Sequence, residues 1–309
     1  MDDSLFSASQ QVEFIDDHAV VWPNVRRIRC QFYQRFEYTY PGPIYNLKQR
    51  LLIVPADRYG AQQVIGHQLA VDPPAVAIRQ IADNFGNRVL ELDVPEANRI
   101  VSFEMQMIVE SALHDAQKLT MSPVEVQDFL KFTPLTMPDN RIRMIAHQLQ
   151  SAAATEYDLA QNINDWVYGA IRYTSGKTSV KTTAAEALAL GQGLCQDSAH
   201  VMIAICRTAG LPARYVSGHL LGEGGSHAWV EVILPIEGGF GAFAFDPTNQ
   251  RRPHLGYVTV AVGHDYHDVS PTSGSFTAPY GGHLTCSKRA GLTLVEYDNG
   301  ETLRSNLAS

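Results

Sequence analysis

An α+β protein is expected from this sequence, with an antiparallel β-sandwich-like domain ahead of a mixed core. Three observations lead there. From about residue 25 to 110, apolar side chains recur at every second position, the period of half-buried strands. From 141 to 173 the spacing turns helical. Beyond 214, short β-rich runs return between glycine-rich turns.

Bulk properties set limits on both halves. At 309 residues the chain exceeds one ordinary small core, so two domains are expected. Hydrophobic residues make up 45% and charged residues 18%, a normal globular balance. Net charge is −8, from 24 basic and 32 acidic residues, with a pI near 5.7. A nucleic-acid binder would show a basic stripe. Here Arg26, Arg27 and Arg29, and Arg251 with Arg252, read as solvated faces. The four cysteines (Cys30, Cys195, Cys206, Cys286) contain no CxxC and no disulfide-framework spacing, so free thiols and a reducing compartment are expected. Met1-Asp2-Asp3-Ser4 lacks the start of a signal peptide, and no apolar run is long enough to cross a bilayer. These point to a cytoplasmic protein with no membrane or nucleic-acid partner. Oligomeric state is left open.

In the first half, Ile28, Cys30 and Phe32 alternate with Arg27, Arg29 and Gln31, while Val101, Phe103, Met105, Met107 and Val109 alternate with mainly polar neighbours. Turn signals fall at Pro41-Gly42-Pro43, Asp57-Arg58-Tyr59-Gly60, Pro73-Pro74 and Asn84-Phe85-Gly86-Asn87. His67 and His114 stand isolated and read as surface or strand histidines. Residues 113–140 carry three prolines and little periodicity, and read as a surface connector. Helices are expected over 141–151 and 156–173, the latter with Leu159, Ile163, Trp166 and Val167 on its apolar face. A short helix over 184–190 is capped by Thr182-Thr183 and stopped by Gly191. The expected division is a β-rich domain over 1–115, a connector over 116–139, and a core with a C-terminal β segment over 140–309.

Chemistry concentrates in the core. Gly191-Gln192-Gly193-Leu194-Cys195 opens a buried helix that ends near Gly210-Leu211-Pro212. Cys195 thus falls in or beside the first turn, where unpaired backbone N–H groups and the macrodipole favour a thiolate. Within that helix, His200 lies roughly 140° around the wheel from Cys195 at ~100° per residue. Cys206 lies roughly 16 Å along the axis at ~1.5 Å per residue. Neither can partner Cys195, and both read as packing residues. Asp197 favours the helix N-terminus. A strand over 214–220 and a flexible Gly222-Glu223-Gly224-Gly225-Ser226 loop lead to His227, which opens the next strand. A turn at Glu237-Gly238-Gly239 returns the chain to Asp246. A hairpin centred near 237 sets His227 across from Asp246 within about one residue of register. Cys, His and Asp in this order suit acyl transfer through a thioester.

Gly193 to His200, Leu211 to Gly218, His227-Ala228-Trp229 and Asp246-Pro247-Thr248 resemble the transglutaminase-like core of prokaryotic proteins, a group often described as cysteine proteases. The resemblance spans about 140–270. Asp83-Asn84-Phe85-Gly86-Asn87 resembles the bacterial transglutaminase-like N-terminal β region, and residues 262–269 resemble a segment that follows the core. Ser198 departs from an expected large aromatic residue and His264 from an expected arginine. The resemblance implies a papain-like, transglutaminase-core cysteine proteinase fold. It also implies Cys195 as nucleophile, His227 as base and then acid, and Asp246 as the group that orients the imidazole. The Cys195 backbone N–H is a natural oxyanion donor, and Gln192, Tyr173 and a backbone group stay open as the second.

His264-Asp265-Tyr266-His267-Asp268 has a metal-like composition, but H-x-x-H alone is weak and reads as a hydrogen-bonded surface loop. No Walker A, GxGxxG or GxSxG motif occurs, so no cofactor and no metal are expected. The favoured reaction is hydrolysis of a peptide or amide bond in a peptide or protein substrate. Transglutamination with an amine acceptor uses the same residues. A non-catalytic binding or scaffolding module is the third reading, and the complete Cys–His–Asp set argues against it.

Overall fold

The computed structural model describes residues 12–113 and 117–305. Met1 to Ser4, His114 and the expected 115/116 boundary lie outside the described residues. Strands β1 (Val25–Thr39), β2 (Ile44–Leu51), β3 (Arg58–Tyr59), β4 (Gln62–Asp72), β5 (Ala77–Ala82), β6 (Arg88–Ala97) and β7 (Ile100–Ala112) form the N-terminal half. After β8 (Gln117–Leu119) come helices α1 (Pro123–Asp128), α2 (Asn140–Ala152) and α3 (Glu156–Ala170). Next follow β9 (Arg172–Tyr173), α4 (Ala184–Leu190), β10 (Gln192–Gly193) and α5 (Cys195–Thr208). The chain closes with β11 (Ala213–Leu220), β12 (His227–Ile236), β13 (Gly239–Phe245), β14 (Tyr257–Gly263), β15 (Thr272–Thr277), β16 (His283–Tyr297) and β17 (Thr302–Arg304).

The N-terminal module is a two-sheet sandwich. One sheet runs β17-β16-β1-β7-β4-β3 and the other β15-β2-β6-β5, all paired antiparallel. The period-two residues face inward as expected: Ile28, Cys30, Phe32, Phe103, Met105 and Met107 are buried and pack against Ile44, Leu51 and Leu92 of the facing sheet. The C-terminal β segment, expected with the core, instead completes this sandwich. β16 pairs with β1 from Val25↔Tyr297 to Thr39↔His283, and β15 pairs with β2. Without β16, β1 would be a fifteen-residue sheet edge, an unprotected row of unpaired backbone groups. Alternation reveals a strand but carries no label for its partner.

The 113–140 stretch is also more structured than a surface connector. β8 adds an edge strand to the core sheet, and α1 forms because Ser122 and Glu125 make a capping box with Pro123 at its start. Val126, Phe129 and Leu135 are buried. Six residues of helix were too short to show periodicity.

The core sheet runs β14-β11-β12-β13-β8. Helices α2, α3 and α5 pack their apolar faces with residues of this sheet in one cluster, Ile163, Val201, Ile205, Val230 and Val232 among them. Trp166 packs half-buried against that cluster. Helix α5 lies at its centre, with Ser198, His200 and Cys206 fully buried.

Two side-chain amides bolt the sandwich to the core. Gln62 donates to the carbonyl of Thr259 at 2.8 Å and accepts from its N–H at 2.9 Å. Asn87 does the same for Val262, at 2.7 and 2.8 Å. They satisfy edge-strand β14 groups that burial would otherwise leave unpaired. Asp83 braces Asn87 by accepting from its side chain and backbone, which gives the Asp83-to-Asn87 turn a structural reason. Nearby, Arg214 pairs with Glu231 at 2.8 Å, and Tyr59 donates to the same carboxylate at 2.5 Å. Among the described residues no helix is long and apolar enough to cross a membrane.

Candidate active site

Cys195 is placed by a chain of local constraints. Thr183 and Glu186 cap α4, and Gly191 ends it with φ at +65°, a conformation glycine adopts without strain. Gln192 and Gly193 then pair in parallel with Arg172 and Tyr173. Leu194 takes extended backbone as the N-cap, and Cys195 is the first helical residue of α5. Asp197, three residues past the cap, turns back to accept from the Leu194 N–H at 2.7 Å and from the Thr178 hydroxyl at 2.6 Å. The expected preference of Asp197 for the helix start is thus a specific latch. Burial raises its carboxyl against those hydrogen bonds. Gly193 is required beneath it, since a Cβ there would sit 2.6 Å from the Asp197 Cβ. Cys195 itself is half-buried, while Cys206 is fully enclosed and its thiol is pushed up to about 12 by burial.

His227 begins β12, opposite Gly218 of β11. A Cβ at Gly218 would lie 2.2 Å from the Val258 carbonyl oxygen and 2.5 Å from the Trp229 ring. Its absence leaves room for the Trp229 ring, which stacks near His227 with ring centroids 6.1 Å apart and planes 26° apart. The hairpin register differs slightly from expectation. Val230 pairs with Phe245 and Ile236 with Gly239, so Asp246 continues opposite Trp229 and meets His227 diagonally. Two residues along a strand keep the same face, and a diagonal pair stays within side-chain reach.

His227 Nε2 donates to Asp246 Oδ2 at 2.8 Å. Asp246 is fully buried and strongly held. Tyr257 and the Asn249 side chain donate to Oδ2 at 2.6 and 2.8 Å, and the N–H groups of Thr248 and Asn249 donate to Oδ1 at 2.9 and 3.2 Å. Burial alone would raise this carboxyl, but the His227 and Tyr257 contacts and the Asn249 side chain hold it below the ordinary carboxylate range. For His227, burial alone would depress the imidazole. The hydrogen bond and charge of Asp246, with the influence of nearby Cys195, outweigh it and push the ring up to about 10. Its other nitrogen, Nδ1, lies 3.4 Å from Glu223 of the glycine-rich loop.

All three sequence-expected residues therefore meet at one place. Asn249, Tyr257 and Glu223 were not foreseen. Asn249 had a signal in its position three residues past Asp246 in the same turn; Tyr257 comes from β14, and sequence spacing offers no sign of it. Of the open oxyanion candidates, Tyr173 adjoins the site: burial and then the Cys195 and Glu223 charges raise its phenol. Gln192 is half-buried in the β9–β10 bridge. His200 accepts from the Tyr266 N–H at 3.2 Å and belongs to the packing. His264 sits between Phe85 and Phe129, with Asp128 and Asp268 on its two nitrogens. The 264–268 loop is not wholly superficial, because Asp265 is buried.

Comparison with known proteins agrees with this architecture. Residues 143–247 match the profile of the transglutaminase-like superfamily, and residues 31–110 match that of the bacterial transglutaminase-like N-terminal region. An uncharacterised protein of Mycobacterium tuberculosis is 27% identical over 274 residues, covering 80% of this chain and 87% of its own length. Another from Mycobacterium leprae is 37% identical over 122 residues, covering 36% of this chain and 42% of itself. The crystal structure of a "putative cysteine protease" from Cytophaga hutchinsonii superposes with a TM-score of 0.67 at 24% identity, covering 85% of this chain and 91% of that one; the likeness is one of fold. The chain thus carries a transglutaminase-like core over residues 143–247, preceded by a bacterial transglutaminase-like N-terminal region over residues 31–110.

Proposed function

We propose that the protein is a thiol-dependent acyl-transfer enzyme that hydrolyses a peptide or amide bond through a thioester on Cys195. The observation that carries this reading is a half-buried cysteine at the first position of α5 near His227, whose ring is held by the buried Asp246 at 2.8 Å. A positive ring and first-turn N–H groups both stabilise an anion at Sγ.

In the forward step the thiol proton passes to His227 as Sγ attacks the carbonyl carbon. The carbonyl oxygen takes the negative charge, met by the Cys195 N–H, which as a first-turn amide has no intrahelical partner. The Tyr173 phenol, which feels the Cys195 charge, is the favoured second donor. The C–N bond then breaks, and His227 passes its proton to the departing amine. Water attacks the thioester next, His227 takes a proton from it, and the C–S bond breaks to restore the cysteine. Asp246 stays ionised throughout and orients the ring. Its surrounding donors leave that carboxylate one way to face.

A peptide or protein is the proposed substrate, and four free thiols suit a reducing, cytoplasmic setting. The test is to incubate wild type and Cys195→Ala with amide substrates, with and without a primary amine. Free acid from wild type alone supports hydrolysis. Amine conjugates convert the reading to transglutamination, and equal product from both proteins removes Cys195 from the chemistry.

A further inference from the structure

Strand β11 alternates its side chains, so Tyr215, Ser217 and His219 share the face turned away from Gly218 and Trp229. His219 is only 3% exposed, and neither ring nitrogen has a partner among the described residues. The Phe32 ring covers it from the sandwich side, with centroids 5.0 Å apart. Burial, then the nearby Lys288 charge, lowers the imidazole to about 3. At neutral pH it therefore offers one N–H donor and one bare acceptor nitrogen. Unpaired buried polar atoms are uncommon in native proteins and call for a reason.

His219 lines a cavity of about 300 Å³ where β11, the glycine-rich loop and β16 converge. Gln34 and Lys288 line it as well, together with apolar Phe36, Leu52 and Val260. The Gln34 side-chain oxygen Oε1 is a third buried atom without a partner among the described residues. Lys288 donates to the Gly225 carbonyl, which leaves further ammonium hydrogens. Burial lowers this lysine to about 8, against the supporting charge of Glu223. A cation and a neutral imidazole N–H over apolar walls suit a carboxylate on a short aliphatic stem. A cationic guest would meet Lys288, and a purely apolar one would leave the polar atoms unpaired.

The cavity shares the glycine-rich loop with the reaction centre. Ser226 in its wall immediately precedes His227. Glu223 lies 3.4 Å from His227 Nδ1, and its charge also bears on Lys288. Tyr266 in the wall stands edge-on to Tyr215 at 6.5 Å, and Tyr215 in turn feels the Cys195 charge.

We propose that this cavity is the specificity pocket of the enzyme and takes the carboxylate of an acidic residue beside the scissile amide, with Lys288 as counter-ion and the neutral His219 as a second donor. The inference rests on the acyl-transfer reading, so its test separates binding from turnover. Cys195→Ala protein is titrated with N-acetylglutamate and N-acetylglutamine by calorimetry, alone and combined with Lys288→Met or Lys288→Arg. The acid is expected to bind about tenfold or more tightly than the amide. Lys288→Met should erase that preference, and Lys288→Arg, which keeps the charge and controls for folding, should retain most of it. Equal binding of acid and amide overturns the pocket whether or not the wild type turns over any substrate. Selective binding that survives Lys288→Met overturns the role of Lys288. Separately, wild-type kcat/KM for matched Glu and Gln peptide amides should differ in the same direction. Absence of all turnover together with selective binding counts against the acyl-transfer reading and leaves the binding site standing.

Discussion

His227 and His219 are buried to the same degree, on neighbouring strands, one residue out of register with each other. Their chemistry is opposite. His227 meets Asp246 and Cys195 and is pushed up to about 10, while His219 meets no carboxylate and falls to about 3. Burial lowers both by the same physics, because a low-dielectric surround disfavours charge. What chiefly separates them is the Asp246 carboxylate, itself held by Tyr257, Asn249 and two backbone amides, with Cys195 beside one ring and the Lys288 charge near the other. One region is built to keep a proton and hand it on; the other is built to stay neutral.

The largest expected effect comes from making the first region resemble the second. Asp246→Asn removes the charge and leaves the shape, and should lower amide turnover by roughly 10²- to 10⁴-fold. An unchanged rate would break the comparison at its base. Gly218→Ala acts on both regions, since the new Cβ collides with the Val258 carbonyl and with Trp229 beneath His227. Urea denaturation should show a loss of about 1–3 kcal/mol.

The third prediction concerns stability against pH, where the two histidines act with opposite sign. His219 has a folded pKa below the ordinary 6.5, so the unfolded chain binds more protons between 6.5 and about 3. Stability should fall as pH drops through that window, by up to about 1.4 kcal/mol per unit from this group. His219→Gln should flatten the acid limb of a melting-temperature profile. His227 has a raised folded pKa, so its contribution is complete below 6.5 and is lost as pH climbs toward 10. His227→Gln should flatten the alkaline limb instead, and matching limbs in the two variants would contradict the assignment. The smallest effect belongs to Tyr257→Phe. It deletes one donor to Asp246 and should cost about 1–2 kcal/mol in denaturant melts.

Much of the site was legible in the sequence because its positions are set locally. Gly191 and Gly193 mark the approach to a helix start, and the turn at Glu237-Gly238 brings Asp246 back toward His227. The register came out one step further along than expected, because the turn occupies only the two residues between Ile236 and Gly239. The illegible parts depend on distant segments. β16 reaches β1 across more than 240 residues of chain, and period-two alternation cannot name that partner. Tyr257 reaches Asp246 from another strand, and Lys288 approaches the Gly222-to-Ser226 loop from the sandwich. Asp197 was seen as a helix-start residue, but its bond to Thr178 depends on a loop with no regular spacing.

The central claim is that His227 activates Cys195, and the most direct measurement is the rate at which iodoacetamide alkylates Cys195, followed by mass spectrometry from pH 5 to 9. In wild type, Cys195 should react at pH 6 at least about tenfold faster than the same cysteine in the urea-unfolded chain. His227→Ala should bring the folded protein down to the unfolded rate. Equal rates in folded wild type, folded His227→Ala and unfolded chain would contradict the account.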